Sequence, residues 1–163
     1  MAILNIVKEG DKILRSVCRP VDKITSRTIR LLDDMRDTLK DAEGVGLAAP
    51  QVGIMRRICI VENENGEIYE LINPRIIATS AETQQGREGC LSLPGEWGIV
   101  ERPASVTVEA YNRNGELVQI TGSGLTGRCF CHEIDHLDGI LYKDKAVRML
   151  TEEEIERLAR SED

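Results

Sequence analysis

The sequence predicts an α+β fold with antiparallel sheet. Three observations carry this expectation: a helical apolar pattern early in the chain, two Asn-Gly dipeptides each set between strand-like runs, and a helical stretch after them. In residues 26–44, "SRTIRLLDDMRDTLKDAEG", Ile29, Leu32, Met35, Leu39 and Ala42 recur every three or four positions. Thr25 or Ser26 can cap that helix, and Gly44 is expected to stop it. "RICIVENENGEIYELIN", residues 57–73, reads as a hairpin turning at Asn65-Gly66. "SVTVEAYNRNGELVQIT", residues 105–121, reads as a second, with Val106, Val108 and Ala110 alternating with polar residues and Asn114-Gly115 at the turn. Residues 125–137 form the next expected helix, ended by Asp138-Gly139. A charged helix follows over 151–160, with Thr151 and Glu154 placed for a capping box. Strands that arrive in hairpins, rather than alternating with helices, pair antiparallel.

The 163 residues are expected to form one domain, 1–163, since domains typically run to about 100–200 residues. Nothing approaches the ~20 consecutive apolar residues of a membrane span, and the first residues, "MAILNIVKEGDKILR", lack a signal-peptide pattern. A net charge of −7 disfavours non-specific binding to nucleic acid or anionic membranes. Five cysteines, an odd number, fit reduced thiols in the cytoplasm better than a disulfide framework.

The only two histidines, His132 and His136, stand four apart in "CFCHEIDHLDG" with Glu133 between them. On a helix both imidazoles face one side and can share a metal, while Glu133 sits beside it as a proton acceptor. A catalytic site of this kind needs a third protein ligand. Cys129 is on the same face, but seven residues of helix rise ~10.5 Å, too far for one ion bonded at ~2.0–2.3 Å. It reads instead as a small buried residue on the site's floor. Cys131, rotated by about 100° from His132, reads as a core thiol. Glu152, Glu153, Glu154 and Glu156 lie where some helical metalloproteases supply a ligand, though such a charge run suits a solvated face. Cys90, in "GREGCLSLPGEWG", is a further candidate; taken alone it reads as a buried thiol.

"GVGLAAPQVG", residues 44–53, matches a dinucleotide fingerprint in spacing but not in context, because a helix precedes it and a strand follows. It reads as a tight loop of small residues past which a substrate backbone can lie, with Gln51 as a hydrogen-bond donor.

Together, "GVGLAAPQ" (44–51), "EGCLS" (88–92) and "HEIDH" (132–136) resemble, in order and spacing, the three signature motifs of the peptide deformylase family. "LRSVCRPV" and "LDGILYKD" extend the likeness over nearly the whole chain. The resemblance implies antiparallel strands packed around a central helix that carries the metal histidines. It implies that Cys90, His132 and His136 hold the metal, with Glu133 as acid–base. Gln51 and the Leu91 backbone N–H would stabilise the oxyanion, and Gly46 and Glu88 would support the cleft. It also implies ferrous iron, Fe2+, with Zn2+, Ni2+ or Co2+ able to substitute, formyl-methionyl nascent peptides as substrate, and a transient meeting with the ribosome. Some bacterial members dock there through a basic C-terminal extension, whereas the tail here, "TEEEIERLARSED", is acidic. The family commonly has Gln where this chain has Cys131, which helical rotation points away from the metal.

The chemistry suits these residues. A metal lowers the pKa of bound water from ~15.7 toward ~7; one held by these residues would supply the hydroxide that formamide hydrolysis needs, and Glu133 would accept the water's proton and pass it to the departing amine. Gly44, Val45, Leu91, Leu125 and Cys129 are candidate walls for the cleft and its methionine pocket. The competing classes are a metallo-endopeptidase with a downstream glutamate ligand and a closed structural metal site.

Overall fold

The computed structural model describes residues 2–161, and in it the chain is α+β. Its main elements run α1 (Ser26–Asp41), β1 (Gly46–Ala48), β2 (Ile58–Glu62), β3 (Ile68–Thr79), β4 (Thr83–Cys90), β5 (Leu93–Pro103), β6 (Ser105–Tyr111), β7 (Leu117–Ser123), α2 (Gly124–Leu137), α3 (Tyr142–Lys145), β8 (Ala146–Met149) and α4 (Glu152–Ser161). They form a five-stranded sheet, ordered β1-β2-β3-β6-β7, and a three-stranded sheet, ordered β4-β5-β8, with every pairing antiparallel.

Both expected hairpins are present. Asn63 N–H donates to Glu67 O at 2.8 Å with Gly66 at φ 83°, and Asn112 N–H donates to Glu116 O at 3.0 Å with Gly115 at φ 78°. Positive φ at the turn is what glycine supplies without a steric cost. The first sheet is covered on both faces. Cys59 and Val61 of β2 meet Phe130, Ile134 and Leu137 of α2, while Ile58 and Ile60 meet Leu32, Met35 and Leu39 of α1. Strict alternation across one strand thus feeds two cores. α2 is buried along most of its length and packs against strands of both sheets, which makes it the central helix. Its approach to β7 depends on Gly127, where a Cβ would lie 2.7 Å from the Gly122 carbonyl oxygen. α4 begins with the expected capping box: Glu154 N–H donates to Thr151 Oγ1 at 3.2 Å, and Thr151 N–H to Glu154 Oε1 at 3.1 Å.

Three expectations need correction. Gly44 does not carry the left-handed turn that ends α1; Glu43 does, at φ 56°. Glu43 N–H closes on Lys40 O and Gly44 N–H on Leu39 O, a Schellman ending whose left-handed position falls one residue earlier. The stretch 44–53 is not simply a loop, because Gly46–Ala48 pairs with β2 before a 3-10 turn over Ala49–Val52. The residue pattern does not predict the second sheet. β4 and β5 carry Gly, Pro and Glu at several positions, residues depleted in strands, so their pairing is set by neighbours rather than by local preference.

One ion cluster ties α1 to the first sheet. The nearly buried Glu70 accepts from Arg36 Nε at 2.6 Å and from Arg113 Nε at 2.7 Å and Nη2 at 2.6 Å. Burial works against its charge, but the hydrogen bonds from Arg113 and Arg36 outweigh it and hold the carboxyl below its ordinary 4.5. A lowered folded-state pKa gives stability that is present above the ordinary value and lost as pH falls through the folded one. Glu70→Gln should therefore cost about 1–2 kcal/mol near neutral pH, discounted for the partly exposed arginines. Urea midpoints of variant and parent should converge as pH is lowered from about 4.5; a gap independent of pH would refute the assignment.

Candidate active site

α2 sets His132 and His136 one turn apart with ring centroids 5.1 Å from each other, both buried. Cys90 arrives from the end of β4, where the pairing with β5 slips between Glu88 and Cys90. A slip of this kind re-aims a side chain, and here Cys90 Sγ lies 3.3 Å from His136 Nε2. One ligand atom from each of Cys90, His132 and His136 falls within 4.8 Å of the others, and no other such group occurs among the described residues. Cys129 and the carboxylates of α4 are not part of it. Burial pushes the Cys129 thiol up to about 12, and Cys131 packs in the core beside Phe130 and Ile134.

His132 Nδ1 pairs with Glu88 Oε1 at 2.9 Å, which leaves Nε2 as the nitrogen available to a metal. Glu88 also accepts from Arg102 Nε at 2.9 Å, Arg102 Nη2 at 2.9 Å and Arg128 Nη1 at 2.7 Å. Burial opposes its charge, yet Arg102 and His132 hold the carboxyl at about 2. Arg102 reaches on to Asp135 at 2.8 Å, so the ionic group spans β4, β5 and α2. Tyr142 stacks on the His132 ring at 5.7 Å.

Glu133 has the opposite environment. Its carboxylate is buried, Oε1 has no hydrogen-bond partner, and burial pushes the group up to about 7. The backbone of Gly46 lies against it, where a Cβ would sit 2.9 Å from Glu133 Cδ. Gln51 is also buried; its Oε1 accepts from Ala48 N–H at 2.9 Å, and its Nε2 donates to Ser92 Oγ at 3.1 Å and to Cys90 Sγ at 3.5 Å.

A cavity of about 500 Å³ opens over these groups. Gly44, Val45, Gly46, Gln51, Glu88, Cys90, Leu91, Leu125, Cys129, His132 and Glu133 all line it. His136 does not line it but lies against Cys90. Trp97 and Arg128, which the sequence reading passed over, also line it. Trp97 lies on the Gly89 backbone, and Arg128 is fixed by Glu88 and the Val100 carbonyl. A lone tryptophan on an unrecognised strand and an arginine inside an apolar helix carried no local signal of either placement.

The family described as Polypeptide deformylase matches residues 3–152. The chain belongs to this family. Peptide deformylase of Acetivibrio thermocellus is 51% identical over 96% of this chain and 91% of its own length, and that of Desulfitobacterium hafniense is 55% identical over 90% and 96%. The fold matches a peptide deformylase crystal structure from Thermotoga maritima with a TM-score of 0.85, at 37% identity over 88% of this chain and 97% of that one. It matches the actinonin-bound class I type b enzyme of Acinetobacter baumannii with a TM-score of 0.83, at 37% identity over 89% and 99%. The chain is thus a peptide deformylase-type hydrolase that removes the N-terminal formyl group of nascent peptides, and the family is metal-dependent. Among the described residues, no helix is long and apolar enough to cross a membrane.

Glu88→Gln should cost roughly 3–5 kcal/mol of stability, because it leaves Arg102 and Arg128 buried without their shared counter-charge. It should also weaken metal affinity by about 10- to 100-fold through the loosened His132 ring. Denaturant midpoints and metal titration check the two effects separately; a variant with wild-type values in both would overturn the account of Glu88.

Proposed function

We propose that Cys90, His132 and His136 hold a divalent transition-metal ion and that the cavity above them hydrolyses the formyl amide of formyl-methionyl peptides. The observation that supports this most is the convergence of one sulfur and two imidazole nitrogens within 4.8 Å, beside a buried carboxylate oxygen that lacks any partner. The donor set fits such an ion: a thiolate and two neutral imidazoles suit Fe2+, Zn2+, Ni2+ and Co2+ alike, and Glu88 fixes the His132 tautomer as metal-bound histidines require. By the family resemblance, ferrous iron is the proposed ion.

When bound, the ion supplies Lewis acidity toward water and the formyl oxygen. The chain's own groups do the rest. Glu133, held by α2 and covered by the Gly46 backbone, takes a proton at its unpartnered Oε1 and returns one to the departing amine. Gln51 Nε2 and the Leu91 N–H donate to the oxygen on which charge develops. Val45, Leu91, Leu125 and Cys129 form the walls for the methionine side chain, and Gly44, Gly46 and the packing around Glu88 keep the cleft narrow enough to favour a formyl group over larger acyl groups. The reaction is cytoplasmic, on chains as they leave the ribosome. The ribosome encounter is transient, and the first turn of α4 is acidic where some bacterial members carry a basic extension.

Glu133→Gln should keep the metal and lower formate release from a short formyl-Met peptide by at least 100-fold; a variant within tenfold of the parent would remove Glu133 from the proton pathway. Cys90→Ala should lose both metal and formate release, whereas Glu156→Ala, on the exposed side of α4, should lose neither. Metal per chain, formate release and cleavage of an unformylated internal peptide decide the matter. The reverse pattern, with the internal peptide cut, would make the chain an endopeptidase.

A further inference from the structure

Gln51 and Ser92 are brought together from different parts of the fold. Gln51 sits on the 3-10 turn after β1, and Ser92 in the turn between β4 and β5. Both are buried, at 1% and 0% exposure. The Ala48 N–H on Gln51 Oε1 settles which end of the amide is nitrogen, because a backbone donor must face oxygen. Both Nε2 hydrogens therefore point across to the β4–β5 turn, one to Ser92 Oγ at 3.1 Å and one to Cys90 Sγ at 3.5 Å. The first is an ordinary hydrogen bond; the second, long and to sulfur, is weak.

The N-terminal segment ties the same two residues through their backbones. Val7 N–H donates to Gln51 O at 2.7 Å, and Glu9 N–H donates to Ser92 O at 2.9 Å. Gln51 and Ser92 are thus clamped to each other twice, by side chain and by a shared strap. Ser92 does not line the cavity, whereas Gln51 and Cys90 do.

We propose that Ser92 is a positioning residue for deformylation: its Oγ holds one Nε2 hydrogen of Gln51, so that the other, resting on Cys90 Sγ, is the one that turns onto the formyl oxygen. This rests on the reading of Gln51 as an oxyanion donor. The terminal amide torsion is broad and soft, and without Ser92 the nitrogen end is held by the sulfur alone. A donor that must be ordered during the reaction contributes less than one already aimed. Because the bond to Ser92 exists before substrate arrives, its loss acts on turnover more than on binding.

The test is steady-state kinetics on a short formyl-Met peptide with metal-loaded wild type, Ser92→Ala, Gln51→Ala and the double variant, with metal content and melting temperature recorded for each. Ser92→Ala deletes one oxygen and should keep the metal and a KM within about twofold, while kcat falls roughly 5- to 30-fold, part of the 10²–10³ that a whole donor carries. In the Gln51→Ala background the same deletion should change kcat by less than about twofold, because two residues acting as one unit do not add. A full additional loss in the double variant, an unchanged kcat in Ser92→Ala, or loss of metal from Ser92→Ala would each overturn the proposal and leave the Gln51 reading standing. An unchanged kcat in Gln51→Ala would sink the Gln51 reading and this proposal with it.

Discussion

The site depends on one buried carboxylate. Glu88 neutralises the buried Arg128 and, together with Asp135, the buried Arg102, and its remaining capacity goes to Nδ1 of His132. Charges removed from water are tolerable only when paired and fully hydrogen-bonded. Arg102 lies on β5 while Arg128 and His132 lie on α2, so satisfying Glu88 locks β4, β5 and α2 together. Cys90 follows Glu88 by two residues across the slip in the β4–β5 pairing. The interaction that steadies one proposed ligand therefore also delivers a second.

Glu88 and Glu133 show how environment separates two groups of the same chemistry. Both are buried beside His132. Glu88 faces two guanidinium groups and is held at about 2, while Glu133 faces the Gly46 backbone and the cavity and is pushed to about 7. Carboxyls driven apart in this way take different parts: one remains a fixed charge, and the other sits where proton transfer is feasible near neutral pH. The difference arises from what packs on each side chain, which no spacing along α2 encodes.

The geometry also explains why an enzyme cleft forms between two sheets rather than on one. β1 is an edge of the first sheet and β4 an edge of the second. The N-terminal strap hydrogen-bonds to Gln51 on the turn after β1 and to Ser92 on the turn after β4. Helix and sheet edges leave a 500 Å³ opening lined by small, apolar and ionisable groups together.

Much of this was legible in the sequence. The helical period of 26–42, the two Asn-Gly turns, the Thr151–Glu154 cap and the four-residue spacing of the histidines are local patterns, each tied to one backbone geometry, and each reappears in the fold. The residues alone left the proposed third ligand open between Cys90 and the α4 carboxylates, and only the family resemblance singled out Cys90, because a candidate 42 positions from His132 leaves no periodic trace. The second sheet stayed hidden because strands rich in Gly, Pro and Glu form only when a partner supplies their hydrogen bonds. Glu43 rather than Gly44 turning the chain, Arg128 folding onto Glu88, and Ser92 meeting Gln51 were likewise decided by tertiary structure. Periodicity and turn chemistry act over a few residues and are written in order along the chain; the charge pairing and amide orientation of the site join segments some 40 residues apart, and only packing brings those into contact.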